Sequence, residues 1–359
     1  MNRNERKQGF RRGFAGGMIS VIGLILVLCL SLGGCLAGGK NGPGDSGQNG
    51  DLQPDDDKLS LGNKLQVVTT IFPAYDFARQ VGGEHAEVNM LLSPGEELHS
   101  YEPSPRDIIA IEQCDVFIYV GGESDTWVDD ILESIDTSKT TIISMMGIVD
   151  ALTEVTVEGM DTGGIWGGHS HDHGEEEHED DHAEYDEHVW TSPANAKLIV
   201  EQIADKFVEN DPENAQGYRD NEAAYVAELE SLARELLSVR ENAARTTIVV
   251  GDRFPYRYLA EFMDLDYFAA FPGCAEETEP SAKTVAFLID KVKEEQIPVV
   301  FHGEFSSHLM AQRISEEAGA VPMLLHSCHN VTKAEFEAGV TYLDLMWENA
   351  AVLRAALCR

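Results

Sequence analysis

The stretch Ser93-Pro94-Gly95-Glu96-Glu97-Leu98-His99-Ser100-Tyr101-Glu102-Pro103-Ser104-Pro105-Arg106-Asp107 follows an apolar run, Val88 to Leu92, that reads as a strand. Pro94-Gly95 is a turn signal, so the strand stops there. Ser104-Pro105 reads as a helix start, with Ser104 at the cap and Pro105 at the first helical position. His99 is thereby placed in a loop at the carboxyl end of a strand. In open α/β sheets that edge is where ligands bind. Glu102 is near enough in the chain to accept the second N–H of the imidazole, the usual arrangement around a metal-bound histidine. A single loop histidine is, on its own, an ordinary surface residue.

Outward from this stretch the chain alternates. Strands are expected at Leu65–Thr70, Val88–Leu92, Val116–Val120 and Thr141–Ser144, with helices at Ala74–Val81, Pro105–Gln113 and Thr126–Ile135. Ser192–Val239 is a long helical stretch, interrupted at Asp211-Pro212 and resuming with Tyr218, Ala223, Tyr225, Leu229 and Leu232 at helical spacing. A second alternation follows: strands Thr247–Val250, Tyr267–Ala270, Val299–Phe301 and Val321–Leu325, and helices Tyr256–Met263, Ala282–Glu294, Ser306–Ala318 and Lys333–Ala356. Such alternation means parallel sheets flanked by helices. The fold expected is α/β, in two lobes of like architecture. Residues 65–191 form the first lobe, 192–245 a long helical stretch and 246–359 the second lobe.

The 359 residues carry Lys+Arg 26 against Asp+Glu 63, a formal net charge of -37. That balance argues against nucleic acid and anionic lipid surfaces as partners and suits cations. Residues 1–34 read as an export signal: Arg3, Arg6, Lys7, Arg11 and Arg12, then an apolar run Phe14 to Leu32, then Leu32-Gly33-Gly34-Cys35. A Cys at the small-residue site is the pattern of a lipidated N-terminus, with Cys35 as the modified residue. A retained membrane-spanning anchor is the alternative. Residues 35–64 are poor in apolar side chains and read as a flexible tether. Both readings put the folded part outside the cytoplasm, held at a membrane.

Residues 163–186 break the alternation. The segment is acidic and holds His169, His171, His173, His178 and His182. It cannot build a packed core, and histidine with carboxylate at this density binds divalent ions weakly and in many arrangements.

The segment PGEELHSYEPSPRD resembles the PG-x-x-x-H-x-x-EP-[ST] segment of the zinc and manganese solute-binding proteins of bacterial ABC transporters. Thr69-Thr70-Ile71-Phe72-Pro73 and Asp186-Glu187-His188-Val189-Trp190 match further segments of that family in the same order. The similarity runs from about Leu65 to the C-terminus. It implies two lobes joined by a long helix, with a metal ion between them, and it makes His99 and His188 ligands. The family usually has Asp-Pro-His where this chain has Asp186-Glu187-His188. In the second lobe the family often supplies a histidine where this chain has Arg253, which has no lone pair to donate. Asp252 is then a substitute donor, and Arg253 is free to pair with an acid across the cleft. The family's last ligand, usually Asp, aligns with His326, and His329 is its alternative. The implied ligand set is His99, His188 and His326. Three imidazoles favour zinc over manganese, which prefers oxygen donors. Water or a carboxylate such as Asp252 would complete four-coordination.

Cys274 and Cys328 each follow a second-lobe strand. An oxidising exterior permits a disulfide between them, and a thiolate ligand is the competing role. The reading reached is a monomeric, extracytoplasmic lipoprotein that captures zinc and passes it to an ABC permease, with no catalysed reaction. Two alternatives stand beside it. One is a zinc hydrolase, with Glu102 or Glu304 as general base to a metal-bound water. The other is a surface adhesin or zinc buffer.

Overall fold

A computed structural model of the chain describes residues 64–97, 101–161, 184–275 and 279–358. The expected signal segment with Cys35, the histidines from His169 to His182, and His99 itself lie outside the described residues. Those described all fall in one unit, Ser60–Arg359.

The first sheet holds β1 (Leu65–Thr69), β2 (Ala86–Met90), β3 (Val116–Tyr119) and β4 (Thr141–Ser144), parallel throughout and ordered β2-β1-β3-β4. Its crossovers carry α1 (Phe72–Gly82), α2 (Pro105–Gln113) and α3 (Thr126–Ser134). The second sheet holds β5 (Thr247–Phe254), β6 (Asp266–Pro272), β7 (Val299–His302) and β8 (Val321–Leu324), also parallel and in the equivalent order, β6-β5-β7-β8. Its crossovers carry α6 (Arg257–Met263), α7 (Ala282–Glu294) and α8 (Leu309–Ala318). The two-lobe α/β fold expected from the alternation is what the chain adopts. Each sheet reverses its strand order beside its first strand, so each opens a crevice at its carboxyl edge.

Local chemistry accounts for the element ends. Pro105 sits in the first turn of α2, and the Ser104 N–H donates to the Asp107 carboxylate at 2.7 Å, so the expected helix start holds. β1 is buried along nearly its whole length, as a central parallel strand with both faces covered must be.

The helical stretch after Ser192 is two helices, α4 (Pro193–Asn210) and α5 (Ala215–Glu241), parted at Asp211-Pro212 as expected. At 27 residues, α5 is about 40 Å long. Its buried stripe is Tyr218, Tyr225, Leu229, Leu232, Leu236 and Val239; Ala223, expected in that stripe, is exposed.

The expected final helix is also two, α9 (Lys333–Ala338) and α10 (Tyr342–Leu357). Gly339 takes φ +75 and ends the first. Thr341 and Asp344 then form a capping box that restarts the chain. Among the described residues no helix is long and apolar enough to cross a membrane.

One apolar core runs through both lobes. It includes Val67 and Phe77 of the first, Leu232 and Leu236 of α5, and Val250, Leu353 and Leu357 of the second. Hydrogen bonds cross the same junction. Tyr342 Oη donates to the Trp190 carbonyl at 2.6 Å, and Trp190 Nε1 donates to the Ser327 carbonyl at 2.8 Å. The buried Asp76 carboxylate accepts the N–H of Tyr342 at 2.9 Å and so caps α10 from the first lobe. A shared core of this kind resists hinge opening, since opening would expose apolar surface.

Candidate metal centre

The carboxyl edges of the two sheets face a small cavity of ≈ 40 Å³, whose lining includes Glu97, His188, Asp252, Arg253, Glu304 and His329. That is room for an ion with a few water molecules, far below the several hundred Å³ of an organic ligand site.

His188 follows a short buried segment and is 4% exposed. Its Nδ1 lies 3.2 Å from Asp186 Oδ1, which also accepts the backbone N–H of His188 at 2.9 Å. A carboxylate only accepts, so Nδ1 carries the proton and Nε2 is the donor nitrogen. Burial alone would lower this imidazole's pKa, but the Asp186, Glu187 and Glu154 carboxylates outweigh it and the net shift is upward. Asp186 is itself held by its neighbours: the Tyr258 hydroxyl donates to its carbonyl at 2.8 Å. Trp190 packs against the imidazole, with ring centroids 5.4 Å apart.

His329 is reached through the loop after β8. Cys328 takes φ +64, an uncommon conformation for a non-glycine residue, and it reverses the chain so that His329 joins the cavity wall. The Ser327 hydroxyl donates its one proton to Glu304 Oε1 at 2.6 Å. It must therefore accept from His329 Nδ1, 2.8 Å away. That fixes Nε2 as the lone-pair nitrogen. Nε2 is buried, has no hydrogen-bond partner among the described residues, and lies 3.9 Å from the Glu97 carboxylate. Burial would raise the pKa of Glu304, but His326, His329 and the Ser327 hydroxyl outweigh it and hold its carboxyl well below the usual range. A carboxylate acting on an imidazole through Nδ1 is what raises Nε2 basicity toward a metal.

His326 is placed differently. It is 5% exposed and is not among the residues lining the cavity. Its Nδ1 accepts the N–H of Cys328 at 2.9 Å. The 3.4 Å approach of Glu304 to that same nitrogen is therefore proximity rather than a hydrogen bond, because the lone pair is already engaged. Asn349 of α10 grips the backbone of His326 on both sides, accepting its N–H and donating to its carbonyl, each at 2.8 Å. Of the two histidines expected here, His326 and its alternative His329, it is His329 that lines the cavity.

Arg253 meets an acid across the cleft: Nη2 lies 3.3 Å from Glu97 Oε2. The strand carrying it runs past the expected end at Val250. Pairing with β6 is irregular between Val250 and Arg253, and such irregularities re-aim side chains. A Cβ at Gly251 would lie 2.8 Å from the Cα of Ala311, so only glycine lets β5 pass α8 here. Asp252 lines the cavity and accepts the N–H groups of Arg253 at 2.9 Å and Gly303 at 3.4 Å. Glu102 is exposed.

Cys274 and Cys328 are both free thiols, not a disulfide. Each sits in its own surroundings: the Cys274 N–H donates to Glu154 at 3.0 Å, and the Cys328 sulfur faces the His326 carbonyl at 3.8 Å. Burial pushes both thiols well up in pKa, away from thiolate.

Sequence reading gave no role to Ser327, Asp186 or Glu97. Asp186 and Glu97 were in quoted motifs, beside histidines that need an orienting acid, which is a usable signal. Nothing in the sequence marks Ser327.

The chain matches the family model described as ZnuA, zinc-uptake complex component A periplasmic, over residues 67–356. It is 33% identical over 294 residues to the zinc-binding lipoprotein AdcA of Streptococcus pneumoniae, covering 81% of this chain and 55% of that protein. This chain thus spans about half the length of that relative. It is 30% identical over 306 residues to the high-affinity zinc uptake system protein ZnuA of Bacillus subtilis, covering 83% of this chain and 89% of that protein. The crystal structure of the Zn(II)-bound ZnuA-like domain of the pneumococcal AdcA superposes with a TM-score of 0.66 at 29% identity, covering 83% of this chain and 100% of that one. With the fold in common and a family match over most of its length, the chain belongs to the ZnuA family.

Proposed function

We propose that this protein captures one zinc ion between its lobes and hands it to an ABC importer, tethered outside the cytoplasm by a lipid on Cys35. The ligands in this reading are His99, His188 and His329, with a carboxylate, Glu97 or Asp252, or water in the fourth position. His326 shapes the loop instead of binding the ion. The observation that carries the reading is the pair His188 and His329. Each has Nδ1 committed to an acid, directly or through Ser327, and both line one ion-sized cavity. Two such imidazoles on opposite lobes, with carboxylates nearby, are a donor set for zinc. The zinc named in the relatives' descriptions supports the same metal.

Competition of the mature chain against a chromophoric chelator tests this. One zinc per chain is expected, with a dissociation constant in the nanomolar range or tighter. Micromolar binding, or tighter binding of manganese than of zinc, would overturn it.

A further inference from the structure

We propose that His302 and His308 form a second, weaker site for zinc or a like divalent cation, on the rim of the cleft and outside its central cavity. His302 ends β7, and His308 stands just before α8. Their rings lie 4.1 Å apart, centroid to centroid, tilted by 53°. Neither lines the central cavity, although their neighbours Gly303 and Ser306 do.

Three features make the pair a donor set rather than a chance contact. First, His302 Nδ1 sits 3.0 Å from the Gly303 carbonyl, which can only accept. Nδ1 therefore carries the proton, and Nε2 keeps its lone pair. Second, His308 is held in the left-handed region at φ 57, ψ -10. Helical spacing would have started α8 at Ser306; the left-handed residue delays it to Leu309 and folds the imidazole against His302. The Ser306 hydroxyl accepts the His308 N–H at 3.2 Å and braces this turn. Left-handed backbone at a non-glycine residue clusters at places where side-chain position matters. Third, the Asp252 carboxylate, which accepts the N–H of Gly303, adds negative charge beside the pair. Burial, and after it the neighbouring His302 imidazole, lowers the pKa of His308, and neutral imidazole is the metal-binding form.

Zn–N bonds of about 2.0–2.1 Å on a tetrahedral ion place two ring centroids about 5 Å apart. Binding therefore opens the pair by about 1 Å, which the exposed His308 can supply by turning its ring. With two protein ligands and water completing the shell, affinity is on the order of 10 µM. Such a site loads and unloads quickly and would hold zinc at the mouth of the cleft.

The test begins with the mature full chain carrying one equivalent of zinc. Further zinc is added by calorimetry, and crystals soaked in zinc are measured at the zinc absorption edge. The expected result is an anomalous peak between the two rings, and loss of one weak event per chain in His308→Ala. The tight event should stay within about twofold. His302→Gln, checked for an unchanged melting point, should give the same loss. An unchanged number of weak events in His308→Ala, or no peak between the rings, overturns the proposal. Failure of the tight event in the unaltered chain would count against the central site and leave this one standing.

Discussion

Arg253 Nη2 reaches across the cleft to within 3.3 Å of Glu97 Oε2, so a fixed positive charge from the second lobe lines the cavity that also holds His188 and His329. Glu97 in turn lies 3.9 Å from His329 Nε2. The guanidinium and a bound zinc ion would thus share one carboxylate, and they repel each other at short range. Arg253→Gln is expected to tighten zinc binding by roughly tenfold, read by chelator competition. Unchanged or weaker affinity would show that Arg253 matters through the ion pair that joins the lobes, and not through its charge on the site.

The two histidines of the β8 loop should separate cleanly. His329→Ala is expected to weaken zinc binding by about a hundredfold or more, because it removes a donor whose Nε2 has no hydrogen-bond partner among the described residues. His326→Ala should leave zinc affinity within a few-fold. It should instead cost about 1–3 kcal/mol of folding stability, because the buried N–H of Cys328 loses its acceptor. Chemical denaturation of the two variants beside their zinc titrations gives both numbers. The reverse pattern would return His326 to the metal.

Zinc affinity should fall as the pH is lowered, and the fall should begin above 6.5, the ordinary histidine value. Burial opposes protonation of His188, but Asp186 and its neighbouring carboxylates prevail and raise its pKa, so a proton competes with zinc sooner than at an isolated imidazole. Full affinity is present at high pH and is lost as pH drops through that raised pKa. Asp186→Asn should move the fall to lower pH while weakening binding about 10- to 100-fold at neutral pH. Chelator competition from about pH 8 to about pH 5.5 would show both effects. A profile that does not move on Asp186→Asn would mean that another group governs it.

Cys274 and Cys328 should titrate as thiols when the mature chain is unfolded without reductant, and should react slowly while it is folded. Burial keeps both protonated, and the thiolate is the reactive form. Recovery of a peptide joining the two after non-reducing digestion would contradict this.

Much of the fold was legible in the sequence because it rests on local patterns. The apolar runs at Leu65–Thr69 and Val116–Tyr119 mark buried parallel strands, and Ser104-Pro105 with Asp107 marks the start of α2. Asp211-Pro212 parts α4 from α5 because proline cannot continue a helix, and that also is written locally. The split between α9 and α10 was legible too, in Gly339 followed by Thr341 and Asp344, yet the apolar spacing on either side masks it.

The candidate site divides along the same line. Sequence alone determined that a histidine follows the Asp186-Glu187 pair, that Arg253 follows Asp252 after the β5 apolar run, and that two histidines flank Ser327 and Cys328. Only the tertiary structure decided which of those two faces the cavity. The choice turns on the left-handed backbone at Cys328 and on the grip of Asn349, 23 residues away on α10, which holds His326 behind the wall and leaves His329 in it. Neither is encoded by neighbouring residues: a non-glycine residue takes positive φ only when surrounding contacts repay the strain, and those contacts exist only once β8, β7 and α10 have packed together.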